Sequence, residues 1–296
     1  MFGRYFNHNI TKGDRDNMNN KITPIMNRLA ENLLKKKKGA TSDSVIFFLG
    51  AGFSMKLPGE TKGLGNGKEV SSYLSSKFLG GLVEENLQRA SEYIEVLHSR
   101  RSLVNEVKDY FNANYEIKDS HRYLSEIIKL LNKPSELIFT TNYDTFLEDH
   151  YRSEYSDQLD YWSFGNALSS NRTMYKIHGC INTESDIILT MEDYYRVKLS
   201  KPLMNNLYKL LRENTCVFIG FSMEDQDLLD LLFSIRADND SFGEQKHYLV
   251  IPEGLMNEHR LAYLNKIFNI DHIPLGRDDF LKEILECLKK KVMMND

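Results

Sequence analysis

Short apolar runs recur along the chain and alternate with longer segments in which apolar residues repeat every three or four positions. The clearest run is VIFFL at Val45–Leu49, and the next is ELIFTTN at Glu136–Asn142. Runs of this length, bounded by turn residues, are typical of strands buried on both faces. Further predicted strands are Met174–His178, Ile187–Thr190, Cys216–Phe221 and His247–Ile251. The pattern predicts an α/β fold with a Rossmann-like, mostly parallel sheet and helices on both faces.

A helical region is predicted to interrupt this sheet. Residues from about 63 to 133 lack strong strand runs and lie between two predicted core strands. Their amphipathic segments are Val70–Phe78, Leu87–Leu97, Leu103–Phe111 and Tyr123–Leu131. We therefore expect one domain over residues 22–296, with a helical subdomain inserted at about 63–133, and a flexible polar arm at 1–21. The stretch GLGNGK at Gly63–Lys68 is either a hinge of the insertion or a surface loop before a helix.

Composition narrows the functional class. The formal net charge is −4, which argues against a general nucleic-acid binder. No apolar run approaches the roughly 20 residues that span a bilayer, and the amino terminus lacks the apolar core of a secretory signal. The three cysteines form no CxxC pair, so no zinc site is expected. We expect a cytoplasmic protein without a metal, a membrane or direct contact with nucleic acid.

Small and polar residues follow four of the predicted strands. In an open parallel sheet, ligands bind outside the carboxyl ends of the strands, so these residues are expected to meet at one edge. They are Gly50, Ala51, Gly52 and Ser54 after the first strand, Thr141, Asn142 and Asp144 after the second, His178 after the third, and Gly220, Ser222 and Asp225 after a later one. Four such loops together predict a ligand site.

Each loop taken alone has an ordinary structural interpretation. The turn after the first strand is half of a dinucleotide fingerprint, because Met55 stands where GxGxxG needs a third glycine. It fits either a phosphate-binding turn or a plain strand–turn–helix connection. A histidine such as His178 at a strand end is often structural, and Asp144 could merely cap the following helix. Asn142 is harder to explain in this way, because one helix start needs only one cap.

Four motifs occur in a characteristic order: GAGFS at Gly50–Ser54, TTNYD at Thr140–Asp144, KIHG at Lys176–Gly179 and GFSMED at Gly220–Asp225. As a set they resemble the signatures of the sirtuin (Sir2-like) fold. The resemblance is greatest to the bacterial Sir2-like domains of anti-phage defence systems, which hydrolyse NAD. Sirtuin deacylases carry two zinc-binding cysteine pairs and an Asp-Phe-Arg stretch after the glycine turn. This chain has neither, which argues against protein deacylation.

The resemblance implies a NAD+ glycohydrolase (NADase) that depletes NAD during antiviral defence by abortive infection, with NAD as its substrate. Asn142 and His178 would be the catalytic residues. Residues that would hold NAD are Gly50, Ala51, Gly52 and Ser54 at the pyrophosphate, Thr141 and Asp144 around the nicotinamide ribose, and Gly220, Ser222 and Asp225 on the adenosine side.

Control of such an activity is expected to come from outside the chain. An uncontrolled NAD hydrolase would poison its own cell, and related domains are usually fused to a sensor or paired with one. The predicted sheet ends near Pro252, which leaves little room for a second domain. We expect a homo-oligomer, or a separately encoded ATPase or Argonaute-like partner. The alternatives are a non-catalytic sensor module that binds NAD or ADP-ribose, and a zinc-free NAD-dependent deacylase.

Overall fold

The computed structural model of the protein describes residues 12–35, 44–57, 60–164, 172–224, 226–239 and 245–295. Its strands are β1 Val45–Leu49, β2 Ile138–Thr140, β3 Tyr161–Ser163, β4 Met174–Lys176, β5 Thr215–Ile219, β6 His247–Val250 and β7 Ile270–Ile273. Its helices are α1 Lys12–Leu34, α2 Gly67–Phe78, α3 Leu87–Leu97, α4 Arg100–Ala113, α5 Asp119–Leu130, α6 Phe146–Tyr155, α7 Met191–Leu199, α8 Lys201–Glu213, α9 Gln226–Asn239, α10 Glu258–Phe268 and α11 Arg277–Asn295. A short 3-10 turn, Ala51–Phe53, follows β1.

The strands form one seven-stranded sheet in the order β3-β4-β2-β1-β5-β6-β7. Every described strand pair is parallel, and Phe47 of β1 stands opposite Ile138 of β2 and Val217 of β5. The predicted Rossmann-like α/β fold is therefore confirmed. The chain first builds the sheet to one side of β1 and then crosses to β5 on its other side. This reversal makes the carboxyl end of β1 the point where a ligand crevice is expected.

Strand β1 shows why the sheet is buried on both faces. Val45, Phe47 and Leu49 belong to an apolar cluster that includes α1, α5, α6 and α11. Ile46 and Phe48 point the opposite way, into a cluster built with α7, α8, α9 and α10. Side chains alternate between the two faces of a strand, so an unbroken apolar run fits only a strand covered on both sides.

The helical insertion between β1 and β2 has an apolar cluster of its own. Leu74 of α2, Ile94 of α3 and Val107 of α4 are fully buried there. The cluster also includes Phe146, at the start of α6, and Ile187, in the loop after β4. Helix α5 packs differently, because its apolar residues join the main core on one face of the sheet. Helices α2 to α4 thus form a separate layer over the carboxyl edge of β2 and β4.

Three expectations about the strands were wrong. Residues 187–190 form no strand; Ile187 and Leu189 pack into the insertion cluster while Ile188 faces the sheet core, so packing alone accounts for the apolar alternation. Strands β3 and β7 were not predicted, because they are short and carry polar residues. Because β7 follows Pro252 in the chain, the sheet does not end there.

The predicted flexible arm at residues 1–21 lies partly within the described residues. Helix α1 begins at Lys12, so residues 12–21 of the expected arm are helical. Residues 1–11 lie outside the described residues, and for them the arm stays a prediction. No helix within the described ranges is long and apolar enough to cross a membrane.

Candidate active site

The glycine turn after β1 is packed tightly against the loop after β5. The backbone N–H of Gly52 donates to the carbonyl of Gly220 at 2.9 Å. A Cβ atom on Gly52 would lie 2.8 Å from that oxygen, and one on Gly50 would lie 2.7 Å from it. Gly220 has a φ of +72°, and a Cβ atom there would lie 2.3 Å from the nitrogen of Phe53. Close backbone approach therefore requires these glycines, whatever ligand the turn holds.

Arg277 supports this turn from the start of α11. Its Nη1 donates to the carbonyl of Gly52 and, at 2.8 Å, to that of Met55. The guanidinium is buried, and burial lowers its pKa from the ordinary value. Arg277 thus brings a positive charge close to the backbone that the motif predicts to hold a pyrophosphate. Sequence reasoning missed Arg277 because it lies more than 200 residues from the turn.

The loop after β2 is fixed by its own polar residues. Buried Thr140 donates from its hydroxyl to the carbonyl of Leu49 at 3.0 Å and accepts from the backbone N–H of Asn142 at 3.0 Å. Asp144 accepts from the N–H of Phe146 at 3.2 Å, at the start of α6. Burial raises the pKa of Asp144. Asn142 is half-buried, so its side chain lies beside the edge of the sheet and remains partly exposed to solvent.

A buried ion pair lies beneath the same loop. Lys176, at the end of β4, contacts Glu148 of α6 at 2.6 Å and also donates to the backbone carbonyl of Asp144. Burial opposes the charge on Lys176, but the attraction of Glu148 and of the other nearby groups together outweighs it and raises the pKa of the lysine. Removing either partner would leave a buried charge uncompensated. The pair therefore ties β4, α6 and the Asn142 loop together.

Asn142 and His178 line the same cavity. It has a volume of about 220 Å³ and lies between the carboxyl edge of the sheet and the helical insertion. The sheet loops contribute Ala51, Thr141, Asn142, Tyr143, Asp144 and His178, and the other lining residues include Leu64, Val70, Leu87, Phe111 and Tyr194. The ring of His178 packs edge-on against Tyr194 of α7, with 4.9 Å between ring centroids. An amide and an imidazole 36 positions apart in the chain thus line one cavity.

The structure places the predicted site residues differently. Ala51, Thr141, Asn142, Asp144 and His178 come together around the cavity. Gly50, Gly52 and Gly220 form the packed contact beside it, and Ser54 is buried beneath Asn142. Ser222 is exposed beyond that contact, and Asp225 lies outside the described residues. The aromatic residues Phe111 and Tyr194 were not predicted, because their spacing is that of ordinary core residues, and Tyr143, within the TTNYD motif, was given no role.

The cavity combines the groups needed to cleave a bond at a sugar carbon. An amide can both donate to and accept from a hydroxyl or a water, and an imidazole can accept a proton near neutral pH. The apolar wall of the insertion would exclude bulk water. No cluster of three or more His, Cys, Asp or Glu side chains placed to hold a metal is present within the described ranges. The absence of a metal stays an expectation.

Comparison with known protein families matches the part of the site that lies on β2 and the strands after it. Residues 136–273 match the model of a SIR2-like domain. The matched region runs from just before β2 to the end of β7. It contains the Asn142 loop, His178 and the Gly220 loop, so the resemblance inferred from the four motifs is confirmed. The glycine turn of β1 and the helical insertion lie upstream of the matched residues.

Two curated relatives carry the same name. One is the NAD(+) hydrolase ThsA of Enterococcus faecium, 26% identical over 229 residues, which cover 65% of this chain and 45% of the relative. The other is the NAD(+) hydrolase ThsA of Cytobacillus dafuensis, 28% identical over 255 residues, which cover 84% of this chain and 48% of the relative. The alignments thus span about half the length of these relatives.

Proposed function

We propose that the protein is a NAD+ glycohydrolase that cleaves the bond between nicotinamide and ribose. The single observation that carries the proposal is the shared cavity of Asn142 and His178 at the carboxyl edge of a SIR2-like sheet. The names of the two relatives, both NAD(+) hydrolases, support the same reaction. At about 220 Å³ the cavity is smaller than the roughly 300–1,000 Å³ of typical ligand pockets. It would therefore receive the nicotinamide riboside end, while the rest of NAD extends along the glycine turn toward Ser222.

The reaction needs little proton transfer. The bond between the ribose carbon and the pyridinium nitrogen breaks, and its electron pair stays on the nitrogen, so nicotinamide leaves as a neutral molecule. Positive charge develops on the sugar, and the oxygen of one water bonds to that carbon. The proton released by the water passes to His178 and then to solvent, which yields ADP-ribose. Asn142 would hold the water or a ribose hydroxyl in line, and Asp144 would orient a ribose or amide group.

The test is NAD consumption by purified protein. Asn142→Ala and His178→Ala are each expected to lower the rate on the order of 100-fold, because each removes one well-placed polar group. Matched controls are Asn205→Ala and His259→Ala, which change exposed residues of α8 and α10 and should cleave NAD at the parent rate. Consumption at the parent rate by either site variant would contradict the assignment.

An etheno-NAD analogue separates cleavage from mere binding, because its fluorescence rises only when the bond is cut. A signal that saturates with substrate and vanishes in Asn142→Ala supports the hydrolase. A protein that binds the analogue without any rise would instead be a sensor module. Incubation of an acyl-peptide with NAD tests the deacylase alternative in the same preparation.

We also propose that the hydrolysis serves anti-phage defence in the cytoplasm and is controlled by homo-oligomerisation or by a separately encoded ATPase or Argonaute-like partner. The resemblance of the four motifs to the Sir2-like domains of anti-phage defence systems supports the link to defence. Chromatography of NAD incubated with the protein, alone and with the product of a neighbouring gene, tests this control. Equal cleavage under both conditions at every protein concentration would contradict it.

A further inference from the structure

A histidine of the helical insertion reaches the residues beneath the cavity. His121 lies in α5 and is fully buried. Its Nε2 is 3.2 Å from the hydroxyl oxygen of Ser54, which is 67 positions away in the chain. Ser54 is itself 1% exposed and follows the glycine turn. The reaction proposed above gives this histidine no role.

The direction of the hydrogen bond follows from the other ring nitrogen. The backbone N–H of Lys118 donates to Nδ1 of His121 at 3.0 Å, so Nδ1 carries no proton. Burial and the nearby charge of Arg277 lower the pKa of His121 to about 3, which keeps the ring neutral at physiological pH. A neutral imidazole holds its single proton on one nitrogen. Nε2 is therefore the donor and Ser54 Oγ the acceptor.

The bonds around Ser54 use every hydrogen-bonding position of its hydroxyl group. Its oxygen accepts from Nε2 of His121 and from Nδ2 of Asn142, the latter at 3.5 Å, the upper limit for such a bond. Its own proton is left to point toward the carboxylate of Asp144, and this interaction lowers the pKa of that carboxyl against the effect of burial. A hydroxyl has one donor and two acceptor positions, so all three are engaged. Because His121 occupies one acceptor position of the Ser54 oxygen, Nδ2 of Asn142 can donate only to the other. His121 thus fixes the direction from which this amide approaches Ser54.

The surroundings hold the imidazole ring in place. Phe53 packs edge-on against it with 5.0 Å between ring centroids, and Phe146 does so at 6.0 Å. His121, Ser54, Asn142 and Asp144 also line one small space of about 10 Å³ beneath the main cavity. The ring therefore has little freedom to release Ser54 while the insertion stays docked.

We propose that His121 is a positioning residue, which fixes Ser54 and through it aims the Asn142 amide into the cavity. The inference deepens the proposed NAD cleavage and rests on it for its functional consequence. It gives the insertion a second role besides covering the cavity: its last helix sets the orientation of a catalytic side chain on the sheet.

A second buried histidine provides a matched control. His247, at the start of β6, is also fully buried, and burial lowers its pKa to about 4. Its Nδ1 also accepts from a backbone N–H, that of Cys216, at 3.1 Å. His247 lies at the amino end of its strand, on the opposite edge of the sheet from the cavity. Replacing it reproduces the loss of a buried imidazole without touching Ser54.

The kinetic test compares three variants. His121→Leu removes the donor at similar volume and is expected to lower kcat about 10- to 100-fold with KM within about 2-fold, because misplacement of one group affects the reaction more than binding. His121→Gln places an amide N–H near the position of Nε2 and is expected to recover most of that loss. His247→Leu should keep the parent kcat. Equal kcat in parent and His121→Leu, or equal losses in the Leu and Gln variants, would overturn the proposal.

A spectroscopic test does not depend on activity. In 1H–15N spectra, the side-chain amide of Asn142, assigned with Asn142→Asp, is expected to shift in His121→Leu and to stay near its parent position in His121→Gln and His247→Leu. Ser54→Ala is expected to shift the Nε2 resonance of His121, which tests the link without altering the histidine should His121→Leu not fold.

The two tests separate the inference from the proposed function. A parent protein that cleaves no NAD refutes the hydrolase, and the amide spectra then decide on the positioning role alone. An unmoved Asn142 amide in His121→Leu, or a His121 ring with its proton on Nδ1, overturns the positioning role even if NAD is cleaved.

Discussion

The two halves of the sheet's carboxyl edge are built in opposite ways. Between β1 and β5, backbone meets backbone, and three glycines allow an approach that any Cβ atom would block. Between β2 and β4, in what we call the open half, polar side chains project from loops that line a cavity. The first half is fixed by packing and the second holds the groups that can do chemistry. A glycine motif is therefore weaker evidence for a ligand than the polar residues of the neighbouring strands.

The largest effect on stability is expected in the packed half. Gly220→Ala combines a positive φ with a Cβ atom 2.3 Å from the nitrogen of Phe53. We expect the free energy of unfolding to fall by about 4 kcal/mol, measured by denaturant titration. Gly80→Ala is the matched control, since Gly80 has a φ of +57° but nothing within 4 Å of the position that a Cβ atom would take. It should cost only about 1 kcal/mol. Equal losses in both variants would show that the close approach does not matter.

The next effect concerns the contact that holds the insertion over the open half. Arg100 of α4 donates to Asp193, at the start of α7, at 2.6 Å and to the carbonyl of Ile187. Because Asp193 is buried, Arg100→Met should lower the free energy of unfolding by on the order of 3 kcal/mol. Arg122→Met, which breaks the exposed pair with Asp119, should cost less than about 1 kcal/mol. Similar losses in the two variants would contradict a buried anchor.

This anchor also predicts a dependence on pH. Burial would raise the pKa of Asp193, but hydrogen bonds from Arg100 and from the backbone N–H groups of Thr190 and Leu189 outweigh it, so the folded-state pKa is lowered. A lowered pKa stabilises the fold above the unfolded value of about 3.9, and this stabilisation is lost as the pH falls through the folded-state value. The difference between the parent and Arg100→Met should therefore be constant above about pH 5 and shrink in acid. A difference that grows in acid would contradict this sign.

The sequence predicted what depends on local pattern. Long apolar runs such as Val45–Leu49 identified central strands, and amphipathic spacing located the helices of the insertion, including Leu87–Leu97 with the observed bounds. The rule that the carboxyl ends of parallel strands lie at one edge of a sheet then predicted that Asn142 and His178 lie close together. Strand β7 was not predicted, because Asp271 and His272 interrupt its apolar pattern.

The rest depends on contacts that are distant along the chain. His121 sits in an amphipathic helix where a single histidine carries no signal, and only the fold brings it to Ser54. Arg277 likewise reaches the glycine turn from the start of the last helix. The glycines themselves were predicted as ligand contacts, whereas the close packing against Gly220 could not be read from spacing.

The smallest effect is expected where the open half has room. Gly67 begins α2 at the wall of the cavity, and nothing lies within 4 Å of the position a Cβ atom would take. Gly67→Ala should raise the free energy of unfolding by about 0.5 kcal/mol, because alanine loses less backbone freedom on folding. Denaturant titration of Gly67→Ala and Gly220→Ala side by side measures the effect on stability in both halves of the edge. A loss of stability at Gly67 would show that this wall is packed more tightly than described.

The central claim is that Asn142 and His178 act on the same sugar carbon in one cavity. The most direct measurement is the rate of NAD cleavage by the double variant Asn142→Ala/His178→Ala beside both single variants. Residues that act as a unit are strongly non-additive, so the double variant should be about as slow as the slower single variant. Losses that multiply, as they would for independent sites, would contradict the claim, and so would a single variant that keeps the parent rate.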